Sequence, residues 1–384
     1  MKTTGFFRYG IGFILTVSLL ITVHAEDGTN DIKFGGVWLK GTYAEASSKF
    51  PVGSSILKPE ADLSASKKLL QLIRKNQKSG GSRLVDMVAS DDFTPVAASG
   101  RALIMALAIN YEHYESQRMA GVQKIFAEIG FDLVLVNMSD RSIVFTLPAR
   151  IQYIDAGSGK AKGERMLRYL YKNKVFPEFL KLAQFKWSGD LAFKTIGIQK
   201  ITFKDQALKR FPSWMKKSPK AFYSQLIGSS FYKTTGIPLI PVSNGEEVMY
   251  ANLREEVSDS AAVKAQQINE ESKTGQGFIL RKPDYKIEIV IPGFVEAIAQ
   301  RAELGSVAQH AAYCRFIIKD PSNKEIYNRK HDANVTSLLP RGTKLRPLWL
   351  SSADASGKMF KSVAKRVKAS SSSSIKKMRR ELKP

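Results

Sequence analysis

The chain has 384 residues, 43% of them hydrophobic, and a formal net charge of +24. That apolar content is ordinary for a globular protein, so most of the chain is expected to bury a core. A single cysteine, Cys314, excludes an intramolecular disulfide framework.

At the N-terminus, Lys2 and Arg8 precede an uncharged apolar run from Ile11 to Val23, which ends in Val23-His24-Ala25. A positive start, a short apolar stretch and small residues at −3 and −1 predict a secretory signal peptide over residues 1–25, cleaved after Ala25. The run is shorter than the roughly 20 residues of a transmembrane helix. A retained N-terminal anchor is the alternative. No second apolar segment approaches spanning length, so the mature protein is expected to be periplasmic or secreted. ATP and NAD(P)H are not available there, and no cofactor is expected.

Residues 26–98 read as an N-terminal extension. Asp27–Ser55 is an extended lead-in, Leu63–Ile73 a short helix, and Lys78–Ser82 a break. A first module is expected over residues 99–200. Ala102–Ile109 is nearly all apolar, as in a buried strand. Ser116 can cap a helix carrying Met119, Val122, Phe126 and Ile129 at spacings of three and four. Phe131–Val136 and Ile143–Ile154 read as strands of a hairpin turning at Asn137–Asp140, followed by helices at Glu164–Tyr171 and Pro177–Phe185.

A second module is expected over residues 201–350. Phe203–Ile227 is helical in pattern, interrupted by Pro212 and Pro219, and Gly236–Val242 suits an edge strand. Glu246–Glu271 reads as polar and partly helical. Asp284–Ala299, Ala311–Lys319 and Glu325–Asn328 read as strands. The predicted fold class is α+β, two modules of mixed or antiparallel sheet with packed helices. Arg150–Asp155 and Arg315–Asp320 echo each other as apolar strands opening on Arg and closing on Asp, which marks either two related modules or two hairpins.

Motif fragments fail their context tests. Gly157-Ser158-Gly159-Lys160 lacks the glycine at position 154 and the Ser/Thr at 161 that a phosphate loop needs. Ser64–Lys67 and Ser213–Lys216 fit S-x-x-K and Lys273–Gly275 fits K-T-G. However, Ser258-Asp259-Ser260 lacks the asparagine of penicillin-recognising enzymes and lies too close to the K-T-G. His113, His310 and His331 show no metal-ligand spacing. His113 between Glu112 and Glu115 could serve acid–base work, though the polar end of a strand is the simpler reading. Cys314, in an apolar run, reads as a small buried hydrophobe. Asn137-Met138-Ser139 and Asn334-Val335-Thr336 match glycosylation sequons, a pattern frequent by chance.

Residues 351–384 form a basic Ser/Lys-rich tail. Residues 355–384 hold ten Lys/Arg and only Glu381 as an acid. Met359, Phe360, Val363 and Val367 recur at helical spacing, so a basic amphipathic helix is expected. Lys358, Lys361, Lys365, Arg366, Lys368, Lys376, Lys377, Arg379 and Arg380 are the candidate residues for binding an anionic membrane or polysaccharide surface. A solvated disordered tail is the alternative. Nucleic acid is not an expected partner, because the tail has almost no aromatic residues on which bases could stack.

The segment Gly100-Arg101-Ala102-Leu103-Ile104-Met105-Ala106-Leu107-Ala108-Ile109-Asn110, with Gly236-Ile237-Pro238 and Pro283-Asp284-Tyr285 before an alternating strand, resembles the small α/β domains of bacterial envelope-assembly proteins of the curli-secretion and Tol-associated kinds. The resemblance covers about a third of the chain, lacks a lipid-bearing cysteine and assigns no functional residue. The expected function is that of an exported, non-enzymatic envelope protein acting through protein or anionic-surface contacts. A secreted hydrolase whose carboxylates assemble only in the fold, and a polyanion-binding module, are the alternatives.

Overall fold

A computed structural model describes residues 32–41, 48–57, 68–69, 71–73, 75, 87–88, 103–119, 122–137, 140–184, 194–216, 219–241, 248–252, 276–302, 305–340 and 348–382. The signal peptide and its cleavage site, the Lys273–Gly275 and Ser258–Ser260 fragments, and the Lys78–Ser82 break lie outside these residues. The fold class is α+β, with two mixed sheets and packed helices.

The first sheet is built on a meander of three long antiparallel strands, β3 (Leu103–Met119), β4 (Val122–Asn137) and β5 (Ser142–Ala156). β1 (Ile32–Lys40) lies parallel to β3, and the two-residue β2 (Met87–Val88) flanks β1. Between β1 and β2 runs the helix α1 (Pro51–Leu57). After β5 come α2 (Lys160–Leu170), a π-helical turn over Tyr171–Val175, and α3 (Phe176–Ala183). Of the expected Leu63–Ile73 helix, the described part is helical, with Leu69 and Ile73 buried.

The second sheet opens with β6 (Ile196–Phe203), followed by three helices: the short α4 (Asp205–Leu208) and α5 (Ser213–Lys216), then α6 (Pro219–Thr235). β7 (Val248–Asn252) and β8 (Gln276–Leu280) return to the first sheet. There β8 pairs with β5, β7 with β8, and β7 with β1, so β1-β3-β4-β5-β8-β7 close into a ring. Trp38 fills it, stacked on Phe278 at 4.9 Å between ring centres, with Ile104, Ala106, Val134, Val136 and Ile143 around it. Closure removes an exposed sheet edge at that end.

The second sheet continues with β9 (Tyr285–Ile291), β10 (Phe294–Ala302), β11 (Gly305–Lys319) and β12 (Glu325–Pro340). β9 and β10 run along the same flank of β11 (Arg315↔Val290, Ala312↔Phe294), so they act as one strand interrupted at Pro292-Gly293. β6 lies parallel to β9, and β12 pairs antiparallel with β11. The chain ends in α7 (Leu348–Ala369) and α8 (Ser373–Glu381).

Both halves therefore follow one path: a strand, helices, a strand parallel to the first, two more antiparallel strands, then helices. The Arg150 and Arg315 echo does not mark this repeat. Arg150 sits on the last strand of its meander and Arg315 on the middle strand of the other.

The helix expected from Ser116 to Ile129 is instead the β3–β4 hairpin, paired from Leu103↔Asn137 to Met119↔Val122. β4 is covered on both faces. Ile125, Ala127, Ile129, Phe131, Leu133 and Leu135 face the core shared with α2 and α3, while Phe126 joins the second core. A strand buried on both sides loses its alternation, so apolar residues also fall by chance at spacings of three and four. Likewise Val248–Asn252, inside the segment expected to be partly helical, is a strand.

α6 forms part of the layer between the two sheets. Every residue from Phe222 to Ser229 is buried, leaving no polar face. Gly228 permits the contact with the first sheet, since a Cβ there would sit 2.4 Å from Pro148 Cγ. α7 lies beside α6 and packs on β11 and β12. The order of layers is α1–α3, first sheet, α6–α7, second sheet. β1 and α1, from the residues read as an extension, belong to the first core.

Candidate functional site: the cationic face of the C-terminal helices

α7 buries one side and exposes the other. Trp349, Leu350, Ala353, Met359, Phe360, Val363 and Val367 lie in the second core. On the opposite side Lys358, Lys361, Lys365 and Lys368 recur at spacings of three, four and three, which aligns them in one exposed stripe. Arg366 is also exposed. α8 repeats the division. Ile375, Met378 and Leu382 are buried, while Lys376, Lys377 and Arg380 are exposed and Arg379 is half-buried.

The basic end is thus helical and part of the second core. Its apolar residues are consumed inside the protein, so none of the apolar face expected on the tail is left to insert into a bilayer. The physical reason is the groove between α6 and β11–β12, which supplies a hydrophobic partner from distant parts of the chain.

Several cations are tethered by the fold. Lys358 Nζ donates to Asn334 O at 3.1 Å, Lys368 Nζ to Thr234 O at 3.0 Å, and Arg379 donates to Lys368 O. A bond to a carbonyl orients a cation without neutralising it. Lys377 stands 3.9 Å from Glu381 one helical turn on. Among the described residues, Lys361, Lys365, Arg366, Lys376 and Arg380 form no ion pair. Glu381, the acid of this segment, is drawn inward by Tyr285 Oη at 2.5 Å and Lys194 Nζ at 3.0 Å. These two donors, the tyrosine foremost, hold its carboxyl below the usual range.

A second polar cluster, which the sequence reading did not find, lies buried between the first sheet and α6–α7. Tyr111 Oη donates to Glu128 Oε1 at 2.5 Å, and Arg150 Nη1 stands 3.6 Å from the same oxygen with its guanidinium 5.7 Å from the centre of the Phe222 ring. Four residues along β4, the Asp132 carboxylate accepts from Gln225 Nε2 at 2.6 Å. Burial pushes Asp132 up to about 6, against the opposing effects of Asn110, Lys40 and Gln225. Each carboxylate is engaged by a protein donor, which suits a structural role between layers. The available signal was a pair of acids at 128 and 132 on one face of an apolar strand.

The motif fragments resolve individually. Alternation after the bulge near Asn110 separates Glu112 from His113 and Glu115. Glu112 accepts from the Val52 and Gly53 amides at 2.7 and 2.9 Å and from Tyr171 Oη at 2.7 Å, tying α1 to the π-helical turn. His113 Nε2 stands 3.7 Å from Glu115, whose carboxylate also accepts from Trp349 Nε1 at 3.1 Å. Gly157 and Gly159 take positive φ in the turn before α2. Met215 of the Ser213–Lys216 fragment is buried. Cys314 is buried and desolvation pushes its thiol up to about 12, in keeping with a small core residue. Among the described residues, no group of three or more His, Cys, Asp or Glu could hold a metal, and no helix is long and apolar enough to cross a membrane.

No protein-family model matches the chain, and no curated protein matches it in sequence. Solved structures similar to parts of it include a hypothetical protein, CT253, from Chlamydia trachomatis, at 12% identity and a TM-score of 0.26 over 46% of this chain and 96% of that one. A neuraminyllactose-binding hemagglutinin homolog from Helicobacter pylori gives 13% identity and a TM-score of 0.25 over 50% and 92%. Lipoprotein GNA1162 from Neisseria meningitidis gives 14% and 0.18 over 38% and 84%. All three are bacterial proteins, and none is described as a curli-secretion or Tol-associated protein. At these scores none defines a fold shared with the whole chain.

Proposed function

We propose that the chain is an exported, non-enzymatic protein of a bacterial envelope. It works by contact, and its anionic-surface contact is the solvent face of α7 and α8. The observation that supports this reading is the division of those two helices: their apolar residues are core, and their lysines and arginines, Arg379 excepted, point outward. Fixed on folded helices, the cations lose less conformational freedom on docking than a disordered tail would. Each cation near an anionic membrane contributes about 1 kcal/mol, and the attraction decays over a Debye length of about 8 Å at physiological salt. Binding of this kind is peripheral and reversible. The leader-like N-terminus supports export.

The test is fractionation of cells producing the full chain. The mature protein, beginning at Glu26, is expected with the envelope fraction at low salt and released by high salt. Recovery entirely in the soluble fraction at low salt would contradict surface binding, and an unprocessed N-terminus retained in the cytoplasm would contradict export.

A further inference from the structure

β12 borders the second sheet and carries a long open edge. β11 pairs with it along one side, in unbroken register from Tyr327 to Pro340, and among the described residues no strand pairs with the other side. The remaining edges are closed, covered or broken. The first sheet forms a ring flanked by the two-residue β2. The edge of β6 is bonded by Ile240, whose amide donates to Ile196 O at 2.9 Å and whose carbonyl accepts from the Ile198 amide at 3.0 Å. β10 slips register between Ile298 and Gln300. Sheet edges are commonly blunted in such ways or by charge. Yet β12 holds no charged residue from Ala333 to Pro340, and Leu338 is 81% exposed.

The α7 lysine row begins at this edge. α7 packs on β12, and Lys358 Nζ donates to Asn334 O at 3.1 Å. Lys358 reaches that carbonyl from outside the β11–β12 ladder, so the Asn334 peptide group faces the open side. Peptide groups at alternate positions of a strand point the same way, which turns those of Asp332 and Thr336 outward as well. Lys365 is about two helical turns beyond Lys358 and projects at nearly the same angle, with Lys361 exposed between them. Arg329 and Lys330 add exposed cations on β12 itself. Among the described residues, Arg329, Lys330, Lys361 and Lys365 form no ion pair. Open strand groups and unneutralised cations thus lie side by side.

We propose that β12 receives an acidic, extended segment of a partner protein as an added strand, its backbone bonded to the open edge and its carboxylates turned toward the α7 lysines. Strand addition draws affinity from main-chain hydrogen bonds and specificity from alternate side chains. Only one face of the added strand meets α7, so acids are needed at every second position. The residues between them lie on the face that carries Leu338. Charge selects this occupant over a second copy of the chain, since two copies joined through β12 about a two-fold axis would set two lysine rows against each other. The proposal goes beyond contact with an anionic surface, because a bilayer offers no strand to bond.

The experiment measures binding of a fluorescent peptide of about eight residues, alternating glutamate and threonine, to the intact mature chain by anisotropy at low salt. Saturable binding is expected. It should weaken about tenfold in Lys358→Ala/Lys365→Ala and be lost when glutamine replaces glutamate in the peptide. Two N-methylated peptides test the backbone bonds without altering the protein. Methyl groups on the threonine amides and on the glutamate amides point to opposite edges of the added strand, so one set blocks β12 and the other faces away. Binding abolished by one set alone is the expected result. An equal effect of both sets, or no saturable binding of the parent peptide, overturns strand addition. Sedimentation with vesicles of phosphatidylglycerol in phosphatidylcholine keeps the two readings apart. Vesicle binding by a chain that fails the peptide test leaves the surface reading standing and removes the added strand. Peptide binding by a chain that ignores vesicles supports the added strand while the surface reading fails.

Discussion

The Tyr285 hydroxyl donates a 2.5 Å hydrogen bond to Glu381, joining the first residue of β9 to the last residue of α8. Lys194, just before β6, adds an ion pair at 3.0 Å. The most basic stretch of the chain is therefore fastened at its far end by its own acid.

The fastening has a pH signature. The folded state holds the Glu381 carboxyl below its ordinary value of 4.5. Its contribution is thus complete above that value and disappears as pH falls through the lower folded one. For a half-buried group that keeps some contact with solvent the contribution is about 1 kcal/mol. Glu381→Gln is expected to lower the hydrogen-exchange protection factors of residues 375–382 severalfold at neutral pH, and acidification of the wild type should lower them too once the slower intrinsic exchange at acid pH is divided out. Protection unchanged by either treatment would show that α8 is held by its apolar contacts alone.

Phe360 separates a structural basic end from a dangling one. It is 2% exposed, with its ring edge-on to Tyr223 at 6.5 Å. Phe360→Ala is expected to cost about 3–5 kcal/mol in chemical unfolding. Its neighbour Lys361→Ala should stay within about 0.5 kcal/mol. Equal, small effects at both positions would contradict the packing described for α7.

Asp132 is expected to be a destabilising charge at neutral pH. With a folded value of about 6 against 3.8 unfolded, the native state keeps a proton that the unfolded chain releases. Stability then falls as pH rises from about 4 to about 6 and stays lower above, by at most about 3 kcal/mol. Asp132→Asn removes that penalty, but it also removes the counter-charge of Lys40, whose own value burial lowers. Urea unfolding is expected to show the variant more stable by about 1 kcal/mol or more at pH 7.5, with the gain gone near pH 4. A variant less stable at pH 7.5 would mean that the ionised carboxylate is favoured where it stands.

How far the chain could be read from residues alone follows the physics of each element. β5, β9 and β11 were legible because at least part of each strand faces solvent, so Ile287, Ile289 and Ile291 alternate with Glu288 and Val290. β4 was not, because helices cover both its faces and its alternation disappears. The nine cations of α7 and α8 were visible as a charge run, whereas the burial of Met359, Phe360, Val363 and Val367 depends on α6 and β11, far away in sequence.

The central claim, that a folded cationic face meets anionic surfaces, is tested most directly by vesicle sedimentation of a four-site variant. Lys361→Ala, Lys365→Ala, Lys376→Ala and Arg380→Ala remove exposed charge and leave every core residue in place. Truncation before α7 would instead remove core side chains and confuse unfolding with lost binding. At about 1 kcal/mol per cation, affinity for anionic vesicles should fall by about a thousandfold at low salt. The wild type should lose its binding as salt rises and should ignore zwitterionic vesicles. Unchanged vesicle affinity in the four-site variant, with its unfolding curve unaltered, would contradict the account.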